Sequence, residues 1–245
     1  MKLRKLALRT CNQDGTSYGG FQWPLEVGAK VSAPDWNPEP ECGGGLHGLL
    51  WGTGDVSLLN HSGPDKLWMV VEVNEYVDLE GKIKFPECVI KYVGERDGAV
   101  AMIQKEAPPE CLVHFANKTV GNKEVVNVGD WGVASAGDDG TATAEYGGTA
   151  IAGVAGTATA GYEGKATAGE YGTASAGCRG VATAGRLGTA TAGGGGEASA
   201  GDCGTISIWH YREGRPRLLV GYIGEDGLEP NTPYRVKDGK FVEVT

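Results

Sequence analysis

The chain has little of what large apolar cores are made from: four Phe and three Met in 245 residues. No stretch approaches the roughly 18 consecutive apolar residues of a membrane helix, so no such span is expected. There is no surplus of positive charge. Lys and Arg total 22 against 31 Asp and Glu, for a net charge of −9. That balance argues against nucleic acid or an anionic membrane as partner, because either is normally met by a cationic surface. A basic partner, or mimicry of an acidic polymer, stays allowed. The six cysteines (Cys11, Cys42, Cys88, Cys111, Cys178, Cys203) contain no CxxC pair. Neither a disulfide framework nor a metal site is expected from them, and they read as free thiols. The basic start, MKLRKLALRT, is followed by no apolar signal core and no cleavage site. It reads as a first strand, and the chain as a cytoplasmic protein.

What the chain has in excess is glycine, 42 residues, most of it in one region. Gly recurs at 132, 140, 148, 156, 164, 172, 180, 188, 196 and 204, eight apart each time. The unit is G-x-A-x-A-G-x-x. Its third and fifth positions are Ala throughout, except for Ile206 and Ile208 in the last unit; its sixth is Gly except at Glu145 and Trp209. A linker would not hold this phase. Alternation with period two means short strands with an all-Ala face, and the glycines suit tight corners. Such strands must stack on copies of themselves, as in a solenoid.

Eight residues are too few to enclose a core, so two octads per coil are expected, with alternate octads on opposite sheets. Ten octads then give five coils, a stack of roughly 24 Å at about 4.8 Å per coil. The outward residues sort accordingly. One set is Thr141/Thr143, Thr157/Thr159, Thr173/Ser175, Thr189/Thr191 and Thr205/Ser207; the other is Val133/Ser135, Thr149/Ile151, Lys165/Thr167, Val181/Thr183 and Glu197/Ser199. The first is a near-uniform array and the second is mixed. Ile206, Ile208 and Trp209 are expected to anchor a C-terminal cap, and Trp131 to join the other end to the N-terminal domain.

The fold expected is mainly β in three parts: a mixed α/β domain over 1–128, the octad solenoid over 129–208, and a small β cap over 209–245. Before the repeat, Leu67–Val73, the region around Ile83 and Val89–Val93 read as strands, with Gly81 in a turn. ERDGAVAMIQKE reads as a helix with Asp97 as N-cap. SAPDWNPEPECGGG reads as a long loop. After the repeat, TISIWHYR and PRLLVGYIG read as strands, and YRVKDGKFVEV as a hairpin turning at Asp238-Gly239.

One N-terminal segment is dense in unusual residues, CGGGLHGLLWG. Gly43, Gly44 and Gly45 allow a backbone to approach a ligand, His47 and Trp51 have rings that a nucleotide could meet, and His47 with Glu41 or Asp55 makes a candidate acid/base pair. The plain structural reading is a Gly-rich turn whose His and Trp pack locally.

The order YGGFQWPLEVG, ECGGGLHGLLWGTGD, then LWMVVEVNEYVDLEGKIKFPECVIKYVGERDGAVAMI resembles a domain of unknown function common in phage, prophage and bacterial genomes. Its members are often followed by Gly/Ala/Ser/Thr repeats opened by GDWG, here Gly129–Gly132, and closed by a tail like Gly224–Val244. The resemblance implies a phage-related accessory protein and no established activity. The first functional reading is therefore a non-enzymatic interaction module, without cofactor or metal, that binds a host protein or small ligand. It would act in the host cytoplasm, make no contact with nucleic acid or membrane, and form a homo-oligomer. Counteracting a host defence is one role in that class. The second is a nucleotide- or NAD-using protein centred on His47. The third is ice binding, because the Thr array resembles the TxT face of ice-binding solenoids. Against it, Thr is also simply a good, soluble strand residue.

Overall fold

A computed structural model describes residues 5–61 and 65–244; Met1–Arg4, at the start of the expected first strand, lie outside them. The chain divides between His114 and Phe115 into two compact units.

The first unit is one antiparallel sheet and one helix. Its strands are β1 (Lys5–Asn12), β2 (Lys30–Ser32), β3 (Leu46–Leu50), β4 (Lys66–Val73), β5 (Val77–Asp78), β6 (Ile83–Phe85) and β7 (Glu87–Gly94), in the order β2-β7-β4-β1-β3-β6-β5. Helix α1 (Arg96–Glu106) packs on β1, β4 and β7 through Ala99, Val100 and Ile103. Its N-cap is Glu95 and not the expected Asp97, which lies in the first turn beside Arg96. An acidic residue there still favours the positive end of the helix dipole. A cluster of Ala7, Cys11, Trp23, Leu46, Met69, Ile83, Phe85 and Ile90 forms the main core. Arg9 is buried with it, its guanidinium 3.5 Å from the Trp23 ring centre and donating to the His47 carbonyl at 3.1 Å. Burial brings the Arg9 pKa down to about 10.

The second unit opens with β8 (Asn117–Thr119) and β9 (Val125–Val128). The octads supply β10 (Val133–Ala136), β11 (Thr141–Ala144), β12 (Thr149–Ala152), β13 (Thr157–Ala160), β14 (Lys165–Ala168), β15 (Thr173–Ala176), β16 (Val181–Ala184), β17 (Thr189–Ala192) and β18 (Glu197–Ala200). The last octad runs on as β19 (Thr205–Arg212); β20 (Arg215–Tyr222), β21 (Tyr234–Lys237) and β22 (Lys240–Glu243) follow. Two parallel stacks result, β8-β10-β12-β14-β16-β18 and β9-β11-β13-β15-β17-β19. Each octad pairs in register with the one sixteen residues away, as Thr157 with Thr141 and Thr173. Two octads therefore make one coil, and β8 with β9 adds a coil ahead of them, for six in all. Every alanine at the third and fifth octad positions faces inward and is at most 8% exposed.

The corners differ from expectation in an instructive way. The left-handed backbone falls at the eighth octad position, held mostly by residues other than glycine: φ is 58° at Trp131, 55° at Glu163, 57° at Tyr171 and 58° at Arg179. The glycines at positions one and six answer a different need. A Cβ on Gly164 would lie 2.8 Å from the Ala160 Cβ and 2.9 Å from the Gly148 carbonyl oxygen; one on Gly161 would lie 2.8 Å from the Glu145 carbonyl carbon. They are glycine because successive coils pass too close for a side chain.

At the far end Ile206 and Ile208 are buried, as a cap requires, but Trp209 is 45% exposed and does not anchor it. Trp131 packs edge-on against Tyr146, at 5.3 Å, within the solenoid unit, so it takes a place in a corner stack. The hairpin of β21 and β22 turns at Asp238-Gly239, both left-handed, as the sequence suggested.

Candidate functional site

The two solenoid sheets present different outer surfaces. On β11, β13, β15 and β17 the outward residues align in two columns, Thr141-Thr157-Thr173-Thr189 and Thr143-Thr159-Ser175-Thr191. Thr157, Thr159, Thr173 and Thr189 are exposed, and Thr141, Thr143, Ser175 and Thr191 half-buried. The fifth row differs from the rest. Thr205 is half-buried, while Ser207 is 6% exposed with its Oγ 2.8 Å from the Thr191 Oγ1. The open array thus has four rows, bordered on its other side by Val125 and Asn127 of β9. The opposite sheet has one mixed column, Val133-Thr149-Lys165-Val181-Glu197, and one of hydroxyls broken at Ile151, Ser135-Ile151-Thr167-Thr183-Ser199.

Both edges of the solenoid are bonded from coil to coil. Tyr146 and Tyr162 stack at 5.6 Å with rings 5° from parallel, and the Arg179 guanidinium lies 5.7 Å from the Tyr162 ring centre. Arg179 also reaches Glu163 at 3.4 Å. On the other edge Arg186 donates to the Tyr171 hydroxyl at 2.8 Å, and the Asp138 carboxylate accepts the Val154 N–H at 2.8 Å. These contacts link successive coils at both edges.

In the first unit, the residues of the Gly-rich segment are not gathered around a free centre. Gly43, Gly44 and Gly45 all have positive φ, and the turn they make aims carbonyls inward. A lysine fills that cradle. Lys84, 1% exposed, donates to the Glu41 carbonyl at 2.9 Å and the Gly43 carbonyl at 3.3 Å, with the Trp36 ring 5.8 Å away. A buried ammonium needs such acceptors. The Glu41 carboxylate is on the exposed side of the loop. The Asp55 carboxylate closes a turn, accepting from the Ser57 N–H at 3.0 Å and the Ser57 hydroxyl at 2.6 Å. Trp51 is 8% exposed with φ of 54°, and its backbone N–H donates to the Leu6 carbonyl at 2.8 Å. No hydrogen bond joins His47 to Glu41 or Asp55, and the buried His47 Nε2 has no partner. Burial, then the positive charges of Lys82, Lys84 and Arg9, holds the His47 pKa below the usual histidine value. Lys82 donates to the exposed Cys42 Sγ at 3.0 Å, which pulls that thiol's pKa down. No group of three or more His, Cys, Asp or Glu among the described residues could hold a metal ion.

Sequence reasoning placed the Thr columns but missed the Lys84 cradle and the edge stacks. The signal for the stacks was available: Tyr146 and Tyr162 stand sixteen apart, one coil, in the seventh octad position.

Residues 5–102 match the family "Domain of unknown function (DUF7666)". The chain is also 38% identical over 108 residues to an ice nucleation protein of Xanthomonas campestris pv. translucens, covering 42% of this chain and 7% of that protein. It is 36% identical over 103 residues to the ice nucleation protein InaU of Pantoea ananas, 40% of this chain and 10% of that one. It is 36% identical over 108 residues to an ice nucleation protein of Pseudomonas fluorescens, 42% and 9%. The matched part is thus no more than 10% of the length of these relatives. No solved structure matches. The matches correct two expectations. The similar proteins are ice nucleation proteins of bacteria, and neither a phage origin nor a cytoplasmic placement agrees with them. The chain is similar in part to ice nucleation proteins, and it joins a domain of unknown function to a β-solenoid.

Proposed function

We propose that the Thr-bearing sheet orders water and binds ice, and that the chain is a repeat protein of the ice-nucleation type. One observation carries this: hydroxyls in register down two columns on one sheet, where the other has a single such column, broken at Ile151, beside a mixed one. Backbone pairing sets about 4.8 Å between rows and roughly 7 Å between columns. The β-branched Thr side chain has few rotamers, so methyl and hydroxyl repeat on the same grid. Any single contact with water is weak. A crystal is recognised when many such contacts fall in phase, and the in-register backbone pairing of successive coils supplies that phase. The likeness to proteins named for ice nucleation supports the same reading. Four open rows make a small template, so this chain alone is expected to bind and slow existing ice more than to start it.

The test is thermal hysteresis of the full chain. The wild type shows a gap between melting and freezing that Thr159→Lys with Thr191→Lys removes while the circular dichroism stays unchanged. No gap in the wild type, together with uninhibited ice recrystallisation, would sink the proposal.

A further inference from the structure

The last octad strand does not turn after four residues as the others do. β19 continues to Arg212, reverses through Glu213-Gly214 (φ 54° and 73°), and returns as β20, the edge of its sheet. The register pairs Thr205 with Tyr222, Ser207 with Val220, Trp209 with Leu218 and Tyr211 with Pro216. Thr205 and Ser207 continue the outward Thr columns. Alternation therefore puts Trp209, Tyr211, Pro216, Leu218, Val220 and Tyr222 on that same side.

The ribbon is covered on one side only. Ile206, Ile208 and Gly221 are buried on the inner side, where a Cβ on Gly221 would meet Leu228 and Phe241. The outer side is open: Trp209 is 45% exposed, Tyr211 77%, Leu218 43%, Val220 45% and Tyr222 56%. With aromatic side chains of about 150–250 Å² each, these exposures leave roughly 500 Å² of largely apolar surface per copy. A patch of that size usually marks a contact site. Two such patches laid together remove about 1,000 Å², the least that a specific interface typically needs. β20 ends its sheet, but Pro216 cannot donate to a further strand and is flanked by Arg215 and Arg217. Contact through the face is thus favoured over contact through the edge.

Charge narrows the choice of partner. The chain as a whole carries −9, which holds copies apart. Yet none of the outward side chains of this sheet, from Val125 on β9 to Tyr222 on β20, is charged. The patch gives a charged partner nothing to pair with, and it meets its own copy without repulsion. We infer that it packs on the same patch of a second copy, in a two-fold dimer. Face to face, at the ~10 Å spacing of packed sheets, two ribbons make a four-stranded sandwich with Trp209, Leu218 and Val220 at its centre. A two-fold axis along the strands sends the partner's solenoid the opposite way, so the open Thr rows stay outside the contact.

Sedimentation of the full chain tests this. The wild type passes from monomer to dimer as its concentration rises from micromolar to hundreds of micromolar. High salt does not separate the dimer, because no ion pair holds it. Trp209→Ser with Leu218→Ser weakens association about tenfold or more. Tyr211→Lys sets two like charges near the axis and does the same. That side chain is 77% exposed, so this variant keeps its melting curve and carries the test even where the double change lowers stability. Arg215→Gln with Arg217→Gln, on the opposite side of the ribbon, leaves the dimer whole. A monomer at every concentration overturns the proposal. So does a dimer that the patch variants leave intact, or one that Thr159→Lys with Thr191→Lys dissolves instead. Thermal hysteresis is read on different residues and stands or falls separately.

Discussion

The two units of this chain are held together in opposite ways. The N-terminal sheet is filled by large side chains, Trp23, Phe85, Met69 and Ile90, and tolerates a lysine and an arginine inside because loops and rings enclose them. Between end coils that bury Val126, Val128, Ile206 and Ile208, the solenoid has only alanine methyls between its sheets, and backbone against backbone at its corners. The first is a core in which volume matters. The second is a stack in which spacing matters, and the lesson is that a regular surface follows from a regular interior. Ala at every inward position from Ala134 to Ala200 keeps the strands evenly placed, and this lets Thr repeat outside.

The sharpest way to break that contrast is to add one side chain where the stack has no room. Gly164→Val forces its Cβ against the Ala160 methyl and the Gly148 carbonyl, neither of which can move aside. It is expected to cost more than about 4 kcal/mol, beyond the usual overpacking range. In urea its solenoid transition shifts or disappears while that of the N-terminal unit stays. The mirror experiment is Phe85→Ala, a loss of volume worth about 3–5 kcal/mol to the N-terminal unit alone. Lys84→Met is smaller: it leaves the Glu41 and Gly43 carbonyls without their donor, and a loss of about 1–3 kcal/mol is expected in the same titration.

Acid should separate the units too. The His47 pKa is lowered in the folded state, so the unfolded chain takes up the proton first as pH falls. Stability is therefore lost as pH drops from the ordinary histidine value of about 6.5 towards the lower folded value, and it levels off below that. The N-terminal melting temperature should show this slope, and His47→Gln should flatten it. The smallest expected effect on stability is that of Thr159→Lys, an exposed change within about 0.5 kcal/mol.

Much of the solenoid was legible because its rules are local. The octad phase gave the coil, the sixteen-residue repeat gave the sheets, and the Thr columns followed. The position of the left-handed residue did not, since Trp131, Glu163 and Tyr171 are not the residue types that usually mark it. The coil of β8 and β9 was also hidden, because Asn117–Thr119 and Val125–Val128 keep the spacing without the octad's residues. Trp209 misled for a simple reason: a large apolar residue after Ile206 and Ile208 reads as core, but the strand runs on and alternation turns it outward. In the N-terminal unit, the Gly-rich turn could be read and its occupant could not. Lys84 looks like one of two exposed lysines on a strand until the loop before β3 folds over it.

The most direct measurement compares the two solenoid faces in one assay. Thermal hysteresis would be recorded for the wild type, for Thr159→Lys with Thr191→Lys, and for Thr167→Lys with Thr183→Lys on the opposite sheet. Loss in the first variant with retention in the second is the result expected of a single ice-binding face. Equal activity in all three, or equal loss in both variants, would contradict it.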